Sequence, residues 1–129
     1  VMKTRKIKIK VSGRDDMAIL NFSDNEIVIE VGNRKISRTG KYPFFILKEI
    51  RKVLEQENIF LMINGSRIDV YPSGLSLPGF NAYIHVLGKP TSLDHLVDIF
   101  EKTDQASLIG TVEEQVEYHA KWVEELKSK

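Results

Sequence analysis

Lys6-Ile7-Lys8-Ile9-Lys10-Val11 alternates a basic with an apolar residue at every step. A period of two places successive side chains on opposite faces of a strand, so this run predicts a strand with one apolar and one basic face. Three more β-like runs follow after short polar or glycine-containing links: Met17–Phe22, Glu26–Val31 and Arg34–Arg38. Links this short join neighbouring antiparallel strands, and we therefore predict an antiparallel meander.

A helix is predicted directly after the meander, over Pro43–Glu57, with Asn58 as its stop. Proline suits the first helical position because its missing N–H is not needed there. Arg51 and Glu55 are assigned to the polar face of this helix. The apolar residues recur at helical spacing and form one stripe, which is expected to cover a face of the sheet: Ile46, Leu47, Ile50, Val53 and Leu54.

The next stretch holds an Asn-Gly pair, Asn64-Gly65, between the apolar run Ile59–Ile63 and the mixed run Arg67–Tyr71. Asn-Gly between two such runs favours a type I′ turn, because both central residues of that turn need φ > 0. We therefore predict a β-hairpin here, followed by a Pro/Gly-rich loop over residues 72–79.

The C-terminal part contains one further strand, one ambiguous segment and one helix. Phe80–Leu87 is predicted to be a strand, whereas Leu93–Phe100 fits either a helix or a short strand in its second half. Thr111 and Glu114 have the spacing of a capping box, in which each side chain binds the other's free backbone N–H. The residues that follow predict a helix over Val112–Lys127. Its expected apolar face comprises Val112, Val116, His119, Val123 and Leu126.

These elements predict one α+β domain over residues 1–129, an antiparallel β-sheet of about six or seven strands with two main helices packed against it. The chain is 42% hydrophobic and 29% charged, as is usual for globular domains. It has no cysteine, which excludes disulfides, thiolate nucleophiles and Cys-ligated zinc. No apolar run reaches the roughly 18 residues of a membrane span, and no signal-peptide core follows the basic N-terminus. We therefore expect a cytoplasmic protein without membrane contact.

Sequence motifs of catalysis are absent: the chain contains no HExxH pair, P-loop, dinucleotide fingerprint or G-x-S-x-G elbow. His85, His95 and His119 fit no metal-ligand spacing, and His119 is expected to be a packed residue with one hydrogen bond. The sequence therefore predicts a protein that is not an enzyme and has no cofactor or metal. A small hydrolase with a site near Tyr71–Asn81 stays open, because the loop there could line a cleft with His85 and a carboxylate.

Charge is distributed unevenly along the chain, although the net charge is only +1. Residues 1–52 carry 13 Lys and Arg against 6 Asp and Glu, and residues 53–129 carry 6 against 12. Such asymmetry either indicates a charged partner or is neutralised when the two halves meet in the fold.

The basic half offers one nucleic-acid hypothesis, because Lys6, Lys8 and Lys10 would project from one sheet face and could bind phosphates. No aromatic residue interleaves with them, as base stacking would require. We therefore prefer a surface strand whose lysines block aggregation, and nucleic-acid binding remains an alternative.

The acidic half favours a protein partner, because clustered carboxylates speed the capture of a basic partner. A solvated face of two helices is the other interpretation. The predicted partner-binding residues are Asp94, Asp98, Glu101, Asp104, Glu113 and Glu117, with Glu114 beside them.

Several segments between residues 47 and 127 together resemble a family of small bacterial proteins. They are Asn64-Gly65-Ser66-Arg67-Ile68-Asp69-Val70-Tyr71-Pro72-Ser73, Gly79, Ala82-Tyr83, Leu96-Val97-Asp98-Ile99-Phe100, Thr111-Val112-Glu113-Glu114-Gln115 and Trp122. The family comprises immunity proteins of polymorphic toxins and contact-dependent growth inhibition systems. The resemblance implies a protein that binds and blocks the toxin domain made by its own cell or its siblings.

The near-neutral net charge departs from this pattern, because immunity proteins against basic nuclease toxins are often strongly acidic. Acidic charge must then be local, or the toxin is not a basic nuclease. The resemblance assigns no contact residues. Within the motif we expect structural roles for the turn, for an Arg67–Asp69 pair and for Tyr71 as an anchor.

Overall fold

The computed structural model describes residues 1–128, and these residues form two antiparallel sheets and two α-helices, which confirms the α+β class. The predicted meander is present. Its strands are β1 (Lys3–Val11), β2 (Arg14–Phe22), β3 (Glu26–Val31) and β4 (Arg34–Thr39). Ser12 and Gly13 join β1 to β2 with φ of 50° and 81°, a backbone region that glycine adopts freely.

The inner face of this sheet and the first helix form the hydrophobic core. Helix α1 (Pro43–Glu55) begins at the predicted proline and ends two residues early, and Asn58 follows with φ of 57°. Alternate residues of β1, β2 and β3 and the apolar stripe of α1 belong to this core. The most deeply buried of them include Ile9, Leu20, Phe22, Ile29, Leu47, Ile50 and Leu54.

The predicted hairpin at Asn64-Gly65 is wrong. Strand β5 (Ile59–Leu61) pairs with β1 and completes a five-stranded sheet in the order β4-β3-β2-β1-β5. Asn64–Ser66 form a buried turn of 3-10 helix, in which Gly65 N–H donates to the Ile99 carbonyl at 2.8 Å. A Cβ on Gly65 would lie 2.7 Å from Leu47 Cδ2, so glycine is needed for space and not for a positive φ.

The return strand joins a second sheet instead, so eight strands in two sheets replace the expected single sheet of six or seven. This small sheet has the order β6-β7-β8. Its strands are β6 (Val70–Tyr71), β7 (Asn81–Ile84) and β8 (Leu96–Asp98). The ambiguous segment divides into a turn of 3-10 helix, Leu93–His95, and then β8.

Helix α2 (Val112–Lys127) has the predicted bounds and the predicted capping box between Thr111 and Glu114. Its buried residues are Val112, Gln115 and Trp122, whereas Val116 is 40% exposed, against expectation. The helix is therefore rotated so that an amide, not a valine, faces the Asn64–Val70 segment. Among residues 1–128, no helix is both long enough and apolar enough to cross a membrane.

Candidate partner-binding surface

Arg51 lies in the protein interior rather than on the polar face of α1, and it is only 3% exposed. Its guanidinium donates to the carbonyls of Gly65 at 3.0 Å and Gly110 at 3.1 Å, and to Gln115 Oε1 at 2.7 Å. Burial lowers the pKa of the Arg51 guanidinium to about 10, with Glu55 at 3.6 Å opposing that shift. Arg51 therefore stays charged at neutral pH. It joins α1 to the motif at Asn64–Ser73 through Gly65, and to α2 through Gln115.

Gln115 completes this buried network from the side of α2. Its Nε2 lies within hydrogen-bond distance of three carbonyls, those of Gly65, Arg67 and Val70, at 2.8–3.0 Å. Glu55 adds a further link, because its Oε1 accepts from Val112 N–H at 2.9 Å. Burial raises the pKa of the Glu55 carboxyl, since the charged form loses hydration there.

Arg67 and Asp69 form a buried pair with two parallel hydrogen bonds of 2.8 Å, as expected from the sequence. Asn64 is also buried, and its Nδ2 donates to the Asp98 carbonyl at 3.1 Å. Buried polar groups of this kind must be satisfied, and these are satisfied inside the protein. The motif that carries the family resemblance thus holds the fold together and does not project its polar side chains outward.

An aromatic cluster lies between α2 and the small sheet. Tyr71 stacks on His119 with ring centroids 3.9 Å apart, and His85 lies 4.1 Å from Trp122 and 5.4 Å from His119. His119 is packed as expected, but neither its buried Nδ1 nor that of His85 has a hydrogen-bond partner among residues 1–128. Burial, and then the neighbouring His85, lower the pKa of His119 to about 4, and burial lowers the pKa of His85. Both rings are therefore neutral at pH 7.

The loop proposed as a hydrolase site forms an open depression of about 400 Å³. Its lining contains Ser76 but no histidine and no carboxylate. His85 is buried within the aromatic cluster, and its Nε2 lies 3.2 Å from the Tyr71 carbonyl. The arrangement needed for nucleophilic or acid–base chemistry is thus not assembled among the residues that line this depression.

The six predicted acidic residues divide into two groups. Asp98, Glu101 and Asp104 line a shallow depression of about 340 Å³ beside β8, and Asp94 lies exposed on the turn just before that strand. The other group lines a groove between the two helices, where Lys48 and Lys52 also lie: Glu113 and Glu117. The acidic residues that are close together in sequence therefore lie at two separate places on the surface.

Of the six predicted acidic residues, Asp98 is the one whose carboxylate has partners among residues 1–128. One oxygen accepts from Phe100 N–H at 2.8 Å and the other accepts from Arg5 at 3.0 Å. Arg5 in turn lies over the Phe22 ring, so this ion pair joins the two sheets. Asp98 contributes less free negative charge than Asp94, Glu101 or Asp104.

Exposed apolar side chains occur next to the first acidic group. Leu75 is 94% exposed, Leu93 is 80% exposed and Leu96 is 43% exposed. Leu96 lies between the two depressions. It lines the depression that contains Leu75 and Pro78, and it also lines the depression that contains Asp98. We call this surface the Leu96 patch: Leu75, Pro78, Tyr83, Leu93 and Leu96, with Asp94, Glu101 and Asp104 at its rim. An apolar centre with a charged rim is the usual anatomy of a protein interface.

The predicted basic strand is present as β1, with Ile7 and Ile9 buried and the lysines on the outer face of the sheet. Asp15 lies 2.8 Å from Lys10 and 3.8 Å from Lys8, which neutralises part of that face. Met17 and Ile19, both more than a third exposed, lie opposite Lys8 and Lys6 on β2. The face is thus mixed in character, unlike a continuous phosphate-binding surface.

No protein-family model matches this chain, and no curated protein matches it. Within residues 1–128, no three His, Asp or Glu side chains converge in a way that could hold a metal ion. The Leu96 patch is therefore the candidate site that the geometry itself provides.

Proposed function

We propose that this chain is a cytoplasmic immunity protein, which binds a cognate bacterial toxin domain and blocks it by surface contact. The observation that carries the proposal is the Leu96 patch, where exposed leucines adjoin carboxylates that have no ion-pair partner in the described part of the chain. Apolar contacts at the centre of such a patch supply affinity, and the rim charges steer a basic partner into place. The sequence resemblance to toxin immunity proteins supplies the identity of the partner class.

The internal use of polar residues supports a binding role over a catalytic one. Arg51, Gln115, Arg67 and Asp69 are each at most 8% exposed, and each has side-chain hydrogen bonds within the fold. A rigid interior of this kind presents the surface in a fixed shape, which lowers the entropic cost of binding.

Affinity capture with the tagged chain in the bacterium that encodes it, followed by mass spectrometry, tests the proposal. Recovery of a C-terminal fragment of a very large secreted protein is the expected result. Co-expression of that fragment should then arrest growth unless this chain is present. A stoichiometric complex with a protein unrelated to secretion, or a fragment that is harmless without this chain, would refute the immunity role.

Charge reversal at the rim of the Leu96 patch should slow association with the captured partner. The variant Asp94→Lys/Glu101→Lys/Asp104→Lys is expected to lower the association rate constant at least about tenfold at low salt, because rim charges act on the encounter rate. It should also reduce the dependence of that rate on ionic strength. Surface plasmon resonance at several salt concentrations measures both. Asp98 is left intact because of its contacts with Arg5 and Phe100.

Two further variants locate the interface. Asp24→Lys/Glu49→Lys/Glu124→Lys changes the same number of exposed charges elsewhere and should alter the rate about twofold or less, through net charge alone. Glu113→Lys/Glu117→Lys tests the groove between the helices. If only that variant slows association, the groove and not the Leu96 patch is the interface.

A further inference from the structure

Strand β5 covers only part of the β1 edge. It pairs with Ile9–Val11, and Met62 N–H then donates to the Lys8 carbonyl at 2.9 Å. The next residue, Ile63, turns away and pairs with Lys102 instead. Towards its N-terminus, β1 therefore pairs with β2 alone among the described strands.

The backbone groups on this free edge follow from the alternation of the ladder. Since the Lys8 carbonyl faces β5, the N–H and C=O groups of Lys6 and Thr4 face the same side. Within residues 1–128, no backbone or side-chain group bonds to them on that edge. Unpaired strand edges of this kind accept an additional strand readily.

The free edge lines a cleft of about 390 Å³, with the Phe100–Lys102 segment as the opposite wall. Its deepest residues are apolar: Ile7, Ile63 and Phe100 are each at most 4% exposed. An edge that served only to prevent aggregation of the sheet would be exposed to solvent. This edge instead lies beside buried apolar residues.

The charges that line this cleft are mainly positive. Lys6 and Lys102 have no carboxylate within 4 Å in the described chain, and Lys8 shares Asp15 with Lys10. Arg5 is bound to Asp98, and Glu101 is the one acidic residue in the lining. A ligand carrying negative charge is therefore favoured over a neutral or basic one.

We infer that the free edge of β1 binds an extended acidic segment of a partner protein, which adds as a strand beside residues 4–7. Main-chain hydrogen bonds to Lys6 and Thr4 provide the ladder. Side chains of the added strand alternate, so acidic residues face Lys6 and Lys8 while apolar residues face Ile7 and Phe100. The site is distinct from the Leu96 patch, although Glu101 belongs to both.

A fluorescein-labelled peptide, Glu-Val-Glu-Val-Glu-Val, tests this inference by fluorescence anisotropy with the wild-type chain. Saturable binding is expected. The same peptide with every backbone amide N-methylated keeps its charge but has no N–H group to donate to the β1 edge, and it should bind at least about tenfold more weakly. Equal binding of both peptides, or no saturation with the unmodified one, would overturn the inference.

Variants of the protein assign the binding to this edge. Lys6→Glu/Lys102→Glu should weaken peptide binding at least about tenfold, whereas Lys35→Glu/Lys121→Glu, with the same change in net charge, should alter it about threefold or less. Unfolding followed by Trp122 fluorescence confirms that both variants are folded. Equal effects of the two variants would overturn the inference, and so would tighter, Lys6-dependent binding of an oligo(dT) competitor, which would identify a phosphate site.

Discussion

Replacing Arg51 by Met is expected to lower the free energy of unfolding by about 3–5 kcal/mol, because removing one member of a buried charged network leaves its partners unsatisfied. Gln115 Oε1 and the Gly110 carbonyl would lose their donor, while the Gly65 carbonyl would keep Gln115 Nε2. Glu55 would lose the positive charge of Arg51, which partly offsets the rise in its pKa caused by burial. Met is close to Arg in length, so cavity formation contributes little to the loss.

Urea unfolding followed by fluorescence measures this loss, since Trp122 is the only tryptophan and is 9% exposed on α2. Lys52→Met is the matched control, one residue along the same helix. Lys52 is half-exposed and pairs with Glu49 across one turn, so its replacement should cost about 0.5 kcal/mol or less. If the two variants unfold at the same urea concentration, the buried network does not stabilise the fold as proposed.

Local periodicity was sufficient to predict the meander and both helices. The alternation of Lys6–Val11, the proline at the start of α1 and the capping box of α2 are patterns in which each residue's environment follows from its near neighbours. These elements needed no knowledge of distant contacts, and their bounds agree with the structure within a few residues.

The Asn64–Tyr71 segment could not be predicted in this way. Its turn is held by Ile99 and Glu101, and its carbonyls are bound by Arg51 and Gln115, all far away in sequence. Asn-Gly favours a hairpin turn on local grounds, but long-range hydrogen bonds outweigh that preference. Arg51 was misplaced for the same reason, because charge alone suggests exposure and burial requires partners that only the fold supplies.

The candidate surface was predicted in part. Acidic composition pointed to Asp94, Glu101 and Asp104, but it could not separate them from Glu113 and Glu117, which lie by the helix groove. It also missed the leucines. Exposed leucine cannot be distinguished from core leucine in a sequence, and Leu75 and Leu93 become informative only when their exposure is known.

Stability should fall by about 2 kcal/mol between pH 7 and pH 4.5 through His119 alone. Its pKa is about 4 in the fold against an ordinary 6.5, so the unfolded chain binds the proton more readily in this interval and acid favours unfolding. The full shift corresponds to about 3 kcal/mol, and partial exposure of the ring to solvent reduces it. The stabilisation is complete above pH 6.5 and is lost as the pH falls towards 4.

The lowered pKa of His119 follows from the groups that surround the His119 and His85 imidazoles. His85 Nε2 must be the protonated nitrogen, because the Tyr71 carbonyl at 3.2 Å can only accept. A second proton on either ring would then place a buried N–H at Nδ1 that has no acceptor within residues 1–128, beside another imidazole 5.4 Å away. Asp69 favours protonation of His85 and His95 disfavours it, but burial dominates both.

His119→Phe separates this effect from the titration of all other groups. The variant keeps an aromatic ring against Tyr71 and removes the titrating nitrogen, so its unfolding free energy should change by about 2 kcal/mol less than that of wild type over the same interval. Val116→Ala, at an exposed position on the same helix, should leave the pH dependence unchanged. Urea midpoints at pH 7 and pH 4.5 test this prediction. If the midpoint falls equally for His119→Phe and wild type, the His119 imidazole is not the acid-labile element. Because α2 carries both this ring and Gln115, loss of the aromatic contacts at low pH should loosen the helix from the motif that it holds in place.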